Sequence, residues 1–178
     1  FLLVTINHQS LIATKTQRIV QEAKGRPVME FGARRAQGYD GATYGARAAY
    51  IGGAEGTATV SAGKAFGIPV LGTMAHSFVQ SFDTEYDAFK AYAEIYPDSC
   101  ILLVDTYDTL KSGIPNAIRV AEEVLQPMGK TLAGIRIDSG DMDYLSKKIR
   151  KQLDADGYPN AKIYASTDLD ENTILNLK

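Results

Sequence analysis

The sequence predicts an α/β fold: parallel β/α units forming part of an irregular (β/α) TIM-like barrel, incomplete in this chain. Three observations predict it. Short apolar runs rich in valine and isoleucine recur along the chain, and near-continuous apolar runs suit parallel strands covered on both faces. Stretches with apolar residues at helical spacing lie between them. The later strands follow one another at roughly 30 residues, a natural length for a βαβ unit with a right-handed crossover. A doubly wound sheet carries the same signature. A whole barrel takes about 250 residues. Five units in 178 residues therefore read as an incomplete barrel and as a single partial domain over 1–178. The chain opens on Phe1 and stops at Lys178 inside a helix-like stretch, which suggests a fragment of something longer.

The elements follow in order. Residues 10–24 carry Leu11, Ile12, Ile19, Val20 and Ala23 at helical spacing and stop at Gly25 and Pro27. The first strand is P-V-M-E-F, 27–31. An alanine-rich helix is expected over 40–50 and another over 57–66, ended by Gly67. The second strand is I-P-V-L-G-T, 68–73. A helix over 84–96 ends before Pro97. The third strand, C-I-L-L-V at 100–104, leads to a helix over 109–125 that stops at Pro127 and Gly129. The fourth, L-A-G-I-R-I at 132–137, precedes a helix over 141–154. The fifth, A-K-I-Y-A at 161–165, precedes a helix starting near Asp170.

Composition narrows the function classes. The chain is 45% hydrophobic and 22% charged, ordinary for a globular domain. Net charge is −2 with a pI near 5.7, and lysine and arginine are spread along the chain. No nucleic-acid or anionic-membrane partner is expected. A single cysteine, Cys100, rules out an internal disulfide, which suits the cytoplasm. No apolar run approaches the roughly 18 residues of a membrane span. The opening F-L-L-V-T-I-N lacks the flank and cleavage pattern of a signal peptide.

Polar residues collect at one end of the predicted sheet. Arg34 and Arg35 follow the first strand and His76 the second. Asp105 and Asp108 follow the third. The fourth ends in R-I-D-S-G-D (136–141), and the fifth leads to S-T-D-L-D (166–170). In a parallel sheet all of these are carboxyl ends, the face where α/β proteins bind ligands. Each residue also has a simpler role. An aspartate after a strand is most often a helix cap, and Asp108 and Asp141 fit that. A lone His76 is more often a satisfied half-buried side chain, and Cys100 a small core residue. The combination argues for more. Arginines grip carboxylates and phosphates in bidentate fashion. Carboxylates beside Ser-Gly at a helix start can hold ribose hydroxyls, Mg2+ or a phosphate. A neighbouring histidine can act as acid, base or nucleophile. The residues point to a sugar-phosphate or pyrophosphate site with an anionic co-substrate, leaving group transfer and aldol chemistry both open. No lysine directly follows a strand, which counts against a Schiff-base aldolase.

Several longer motifs carry a resemblance. They are L-I-A-T-K (11–15), E-F-G-A-R-R-A-Q-G (30–38) and G-A-R-A-A-Y-I-G-G-A-E-G-T-A-T-V (45–60). G-T-M-A-H-S (72–77), L-L-V-D-T-Y-D (102–108), I-R-I-D-S-G-D (135–141) and A-S-T-D-L-D (165–170) complete the set. In this order, almost end to end, the chain resembles the nicotinate phosphoribosyltransferases. The resemblance implies an irregular α/β barrel plus an N-terminal domain, and a homodimer with sites at the subunit boundary. The implied reaction joins nicotinate to 5-phosphoribosyl 1-pyrophosphate, giving nicotinate mononucleotide and pyrophosphate in the salvage of nicotinate for NAD. ATP is the implied co-substrate and Mg2+ the implied cofactor.

Residue by residue, His76 matches the phosphorylated histidine of that family, and Asp138 and Asp105 its catalytic carboxylates, with Asp105 near the ribose and Mg2+. Phe31 and Arg34 match the pyridine platform and an arginine near the base and phosphates. Arg136, Ser139, Gly140 and Asp141 match the segment holding the phosphoribosyl group and diphosphate. Ser166 and Thr167 match the strand end holding the ribose or its phosphate. Relatives that use nicotinamide carry an aspartate in the segment matching G-T-A-T (56–59), where this chain has Ala58. A carboxylate there would repel nicotinate, and an alanine does not. The alternatives are a nicotinamide phosphoribosyltransferase and a non-catalytic nucleotide-sensing barrel.

Overall fold

A computed structural model describes residues 1–177. Within it the chain packs as two compact units: Phe1–Gly72 with the chain from Leu169 onward, and Thr73–Asp168.

The first unit begins with helix α1 (Leu2–Ala23), which starts eight residues earlier than its periodicity predicts. Leu2, Leu3, Val4 and Ile6 are exposed, so no buried stripe marks this turn in the sequence. Lys24 ends α1 in the left-handed region (φ 49), and Gly25 (φ 82) continues the reversal at no steric cost. Strand β1 (Met29–Glu30) follows. Helix α2 (Gly38–Ile51) packs on α1 through small residues: a Cβ on Gly45 would lie 3.3 Å from the Ile12 side chain. Strand β2 (Gly56–Thr57) runs parallel to β1, in register Met29↔Gly56 and Glu30↔Thr57. Sequence reading merges it into the next helix, but α3 (Val60–Phe66) starts only afterwards. The strand expected at 68–73 reduces to one parallel bridge between Val70 and Thr57. Close approach here requires glycine at 56, where a Cβ would meet the Pro69 carbonyl at 2.7 Å.

The second unit opens with α4 (His76–Val79), too short to show a period, and α5 (Glu85–Ile95), capped by the Thr84 side chain. Strand β3 (Ile101–Leu103) leads into a long helical stretch. That stretch has a π turn at Thr109–Gly113, helix α6 (Ile114–Val120) and a second π turn at Ala121–Leu125. Strand β4 (Gly134–Ile137), helix α7 (Met142–Ala155) and strand β5 (Lys162–Ala165) complete it. The sheet is all parallel in the order β3-β4-β5, with Leu103 opposite Arg136 and Ile137 opposite Ala165. Leu102, Leu103, Val104, Ile135 and Ile137 are fully buried, with Phe89, Ile149 and Leu153 from the flanking helices. The chain then enters the last helix of the first unit, α8 (Glu171–Asn176).

The parallel β/α units stand as read. The barrel does not form as a closed sheet: among the described residues the sheets hold two and three strands, and neither closes. Closure needs a partner at every edge, and β5 leaves Lys162 and Ala165 exposed at its own. Among the described residues, no helix is long and apolar enough to cross a membrane.

Candidate functional site

The carboxyl ends of β3, β4 and β5 bring charged and hydroxyl groups into one connected network. Parallel pairing in register forces this, because Asp105, Asp138 and Ser166 follow neighbouring strands by one or two residues. Asp105 is the node. Its side chain is 1% exposed, and a carboxylate so buried needs donors. His76 Nε2 lies 3.2 Å from Oδ1. The Asp138 backbone N–H (2.9 Å) and the Ser139 hydroxyl (2.5 Å) both donate to Oδ2. A carboxylate only accepts, so the His76 proton facing it sits on Nε2. His76 Nδ1 then faces Asp138 Oδ2 at 3.9 Å. The imidazole is 36% exposed, poised between a buried carboxylate and solvent.

Arg136 forms the other half. Its Nε donates to the Ser166 hydroxyl at 2.6 Å and its Nη2 to Asp138 Oδ2 at 3.3 Å. Nη1 donates to Thr73 Oγ1 at 2.9 Å and to the Met74 carbonyl at 3.3 Å. The Ser166 hydroxyl in turn donates to Asp138 Oδ1 at 3.0 Å. Asp138 is thus held from both sides, and its side chain is 10% exposed.

The remaining candidates divide. Ser139 belongs to the network through Asp105. Gly140 (φ 84) makes the turn into α7, where a Cβ would stand 2.8 Å from Leu145 Cδ1. Asp141 caps α7, accepting from the Tyr144 N–H at 3.0 Å, and Asp108 caps the first π turn. Thr167 is half-buried beside Ser166 and Asp168 is exposed. Phe31 and Arg34 belong to the first unit, Phe31 half-buried at the end of β1 and Arg34 exposed in the turn Ala33–Arg35. Sequence reasoning missed Thr73 and the Met74 carbonyl, which brace Arg136. A hydroxyl three residues before His76, at a predicted strand end, was the available signal.

The Nicotinate phosphoribosyltransferase (NAPRTase) family matches residues 27–178. The nicotinate phosphoribosyltransferase of Bacillus subtilis is 56% identical over 177 residues, covering 99% of this chain and 36% of that protein. The nicotinate phosphoribosyltransferase pncB2 of Mycobacterium tuberculosis is 49% identical over 174 residues, 98% of this chain and 37% of that protein. The crystal structure of human nicotinic acid phosphoribosyltransferase superposes with a TM-score of 0.87 at 30% identity. That match covers 96% of this chain and 45% of the human one. The chain therefore spans about a third of the length of these curated relatives. By the family match over most of its length, and by the parallel fold it shares with the human protein, the chain belongs to the nicotinate phosphoribosyltransferase family.

Proposed function

We propose that the whole enzyme transfers the phosphoribosyl group of 5-phosphoribosyl 1-pyrophosphate to nicotinate, releasing pyrophosphate and forming nicotinate mononucleotide for NAD salvage. The observation that carries this reading is the Asp105–His76–Asp138–Arg136–Ser166 network, built on a buried Asp105, in a chain of this family. In this reading Asp138 and Arg136 face the phosphoribosyl group and diphosphate, together with Ser139, Gly140, Ser166 and Thr167. Attack by the pyridine nitrogen on ribose C1 builds positive charge at the sugar, which Asp138 would stabilise. Phe31 and Arg34 would receive the base, and Ala58 leaves room and no repelling charge for its carboxylate.

The residues fit Mg2+ in the manner it usually binds, with few protein ligands. Among the described residues, no group of three or more His, Cys, Asp or Glu is placed to cage a metal. Two carboxylates, Asp105 and Asp138, stand against one guanidinium, so a diphosphate would meet an anionic centre. Asp105, the carboxylate expected near Mg2+, is 1% exposed with both oxygens engaged; Asp138, at 10% the more exposed, would therefore reach the cation with Asp105 behind it. Bound Mg2+ would neutralise charge on the departing pyrophosphate. His76, with a buried carboxylate on one nitrogen and partial exposure, suits phosphorylation by ATP coupled to the transfer. The two parallel sheets are taken as arcs of an irregular barrel, and a cytoplasmic homodimer as the working assembly.

The test is the full-length enzyme with nicotinate, 5-phosphoribosyl 1-pyrophosphate and Mg2+. Pyrophosphate release is expected with nicotinate and not with nicotinamide; the reverse overturns the reading. Asp138→Asn is expected to lower kcat/KM at least about 100-fold. With labelled ATP, acid-labile label is expected on the wild type and absent from His76→Ala.

A further inference from the structure

We propose that Glu30 is a positioning residue for the base site: its carboxylate latches the end of β1 to the 56–59 loop and so fixes Phe31 relative to Ala58. The role rests on the nicotinate reading above. All the groups lie in the first unit. Glu30 Oε1 accepts from the Gly32 N–H at 2.5 Å, and Oε2 accepts from the Thr57 hydroxyl at 2.5 Å and the Thr59 hydroxyl at 3.5 Å. The Thr57 hydroxyl also accepts from the Thr59 N–H at 2.9 Å. The backbone adds one bond, from the Ala58 N–H to the Glu30 carbonyl at 3.0 Å.

This arrangement accounts for residue choices that packing leaves unexplained. Two-residue strands are marginal by themselves, and β1–β2 pairing is only that long. The side-chain latch extends the connection past the ends of both strands, to Gly32 and Thr59. Thr57 and Thr59 are buried and Ala58 between them is exposed. The two hydroxyls are drawn inward to Glu30, which turns the Ala58 methyl outward. A Cβ on residue 32 would come within 2.9 Å of Glu30 Oε1, so glycine there keeps the carboxylate seated. The Gly32 N–H can only donate, and the two threonine hydroxyls donate to the carboxylate. A glutamine would keep its oxygen on the Gly32 N–H and force both hydroxyls to turn and accept from its amide, exchanging charge-assisted bonds for weaker neutral ones and loosening the latch.

Steady-state kinetics of the full-length enzyme tests it, with Glu30→Gln, Thr57→Val, Thr57→Ser and the Glu30→Gln/Thr57→Val double variant. The expected result is a rise of about ten-fold in KM for nicotinate for the first two. KM for 5-phosphoribosyl 1-pyrophosphate should change less than about two-fold, because its proposed grip lies on β3–β5 in the other unit. Thr57→Ser keeps the hydroxyl and should restore the wild-type KM, and the double variant should be no worse than the worse single. A parallel change in both KM values and kcat, failure of serine to rescue, or full additivity would overturn the latch. A wild-type enzyme that does not use nicotinate at all would instead overturn the function it rests on.

Discussion

Asp105 shows how a single residue sets the chemistry of its neighbours. Its Oδ1 fixes the proton of His76 on Nε2, and its Oδ2 holds the Asp138–Ser139 turn. Asp105→Asn keeps the shape. With two donors demanding the oxygen on one side, the amide N–H2 must face His76, and the imidazole must move its proton to Nδ1. The expected outcome is a folded protein whose His76 shows Nδ1–H by 15N NMR, where the wild type shows Nε2–H. Cys100 is the opposite case, a side chain with no reach. Burial pushes its thiol up to about 12, so it should resist iodoacetamide at pH 8 in the folded protein and react only after denaturation. The residues of the network were legible as motifs because each closes a predicted strand. Their partners were not: Thr73 braces Arg136 across 63 positions, and no local pattern encodes a contact that distant.

At the level of elements, the termini carried the clearest signals. Glycines at 67, 129 and 157 all adopt positive φ after helices, and Asp141 and Asp170 cap the helices they precede. Asp141→Ala should lower stability by about 1 kcal/mol. If kcat/KM is then unchanged, capping is its whole role. Acid should loosen α8. Hydrogen bonds from the Thr173 N–H and hydroxyl hold the Asp170 carboxyl below its usual range, and Lys15 does the same to Glu171. A depressed folded value gives stability that is present above the unfolded pKa, about 4, and lost as pH falls through the folded one. Amides of α8 should therefore gain hydrogen-exchange protection on going from pH 3 to pH 5. Strand β2 was missed for a physical reason: two residues cannot display a period, and a helix-compatible stretch follows at once.

For the molecule as a whole, alternating β and α was enough to predict parallel sheets. Closure was not predictable, because it depends on strand partners rather than on any property of the strands read. One consequence of exposure can be measured. Leu2, Leu3 and Ile6 lie within one turn of α1 and are each at least 60% exposed, a patch that favours association. Sedimentation should show concentration-dependent self-association of this chain that Leu3→Lys/Ile6→Glu weakens. The two π turns bear on a different property, tolerance of length change. In each, a backbone ring closes over one residue more than a regular helix uses; the Gly113 N–H, for example, reaches the Asp108 carbonyl. Removing one residue from Ala121–Leu125 would return the segment to an ordinary helical turn, whereas a removal inside α7 would rotate Met142 away from Ile149 and Leu153 by about 100°. The second π turn is thus a place where the chain can shorten by a residue and keep its fold, and the melting temperature of the two deletion variants should rank accordingly.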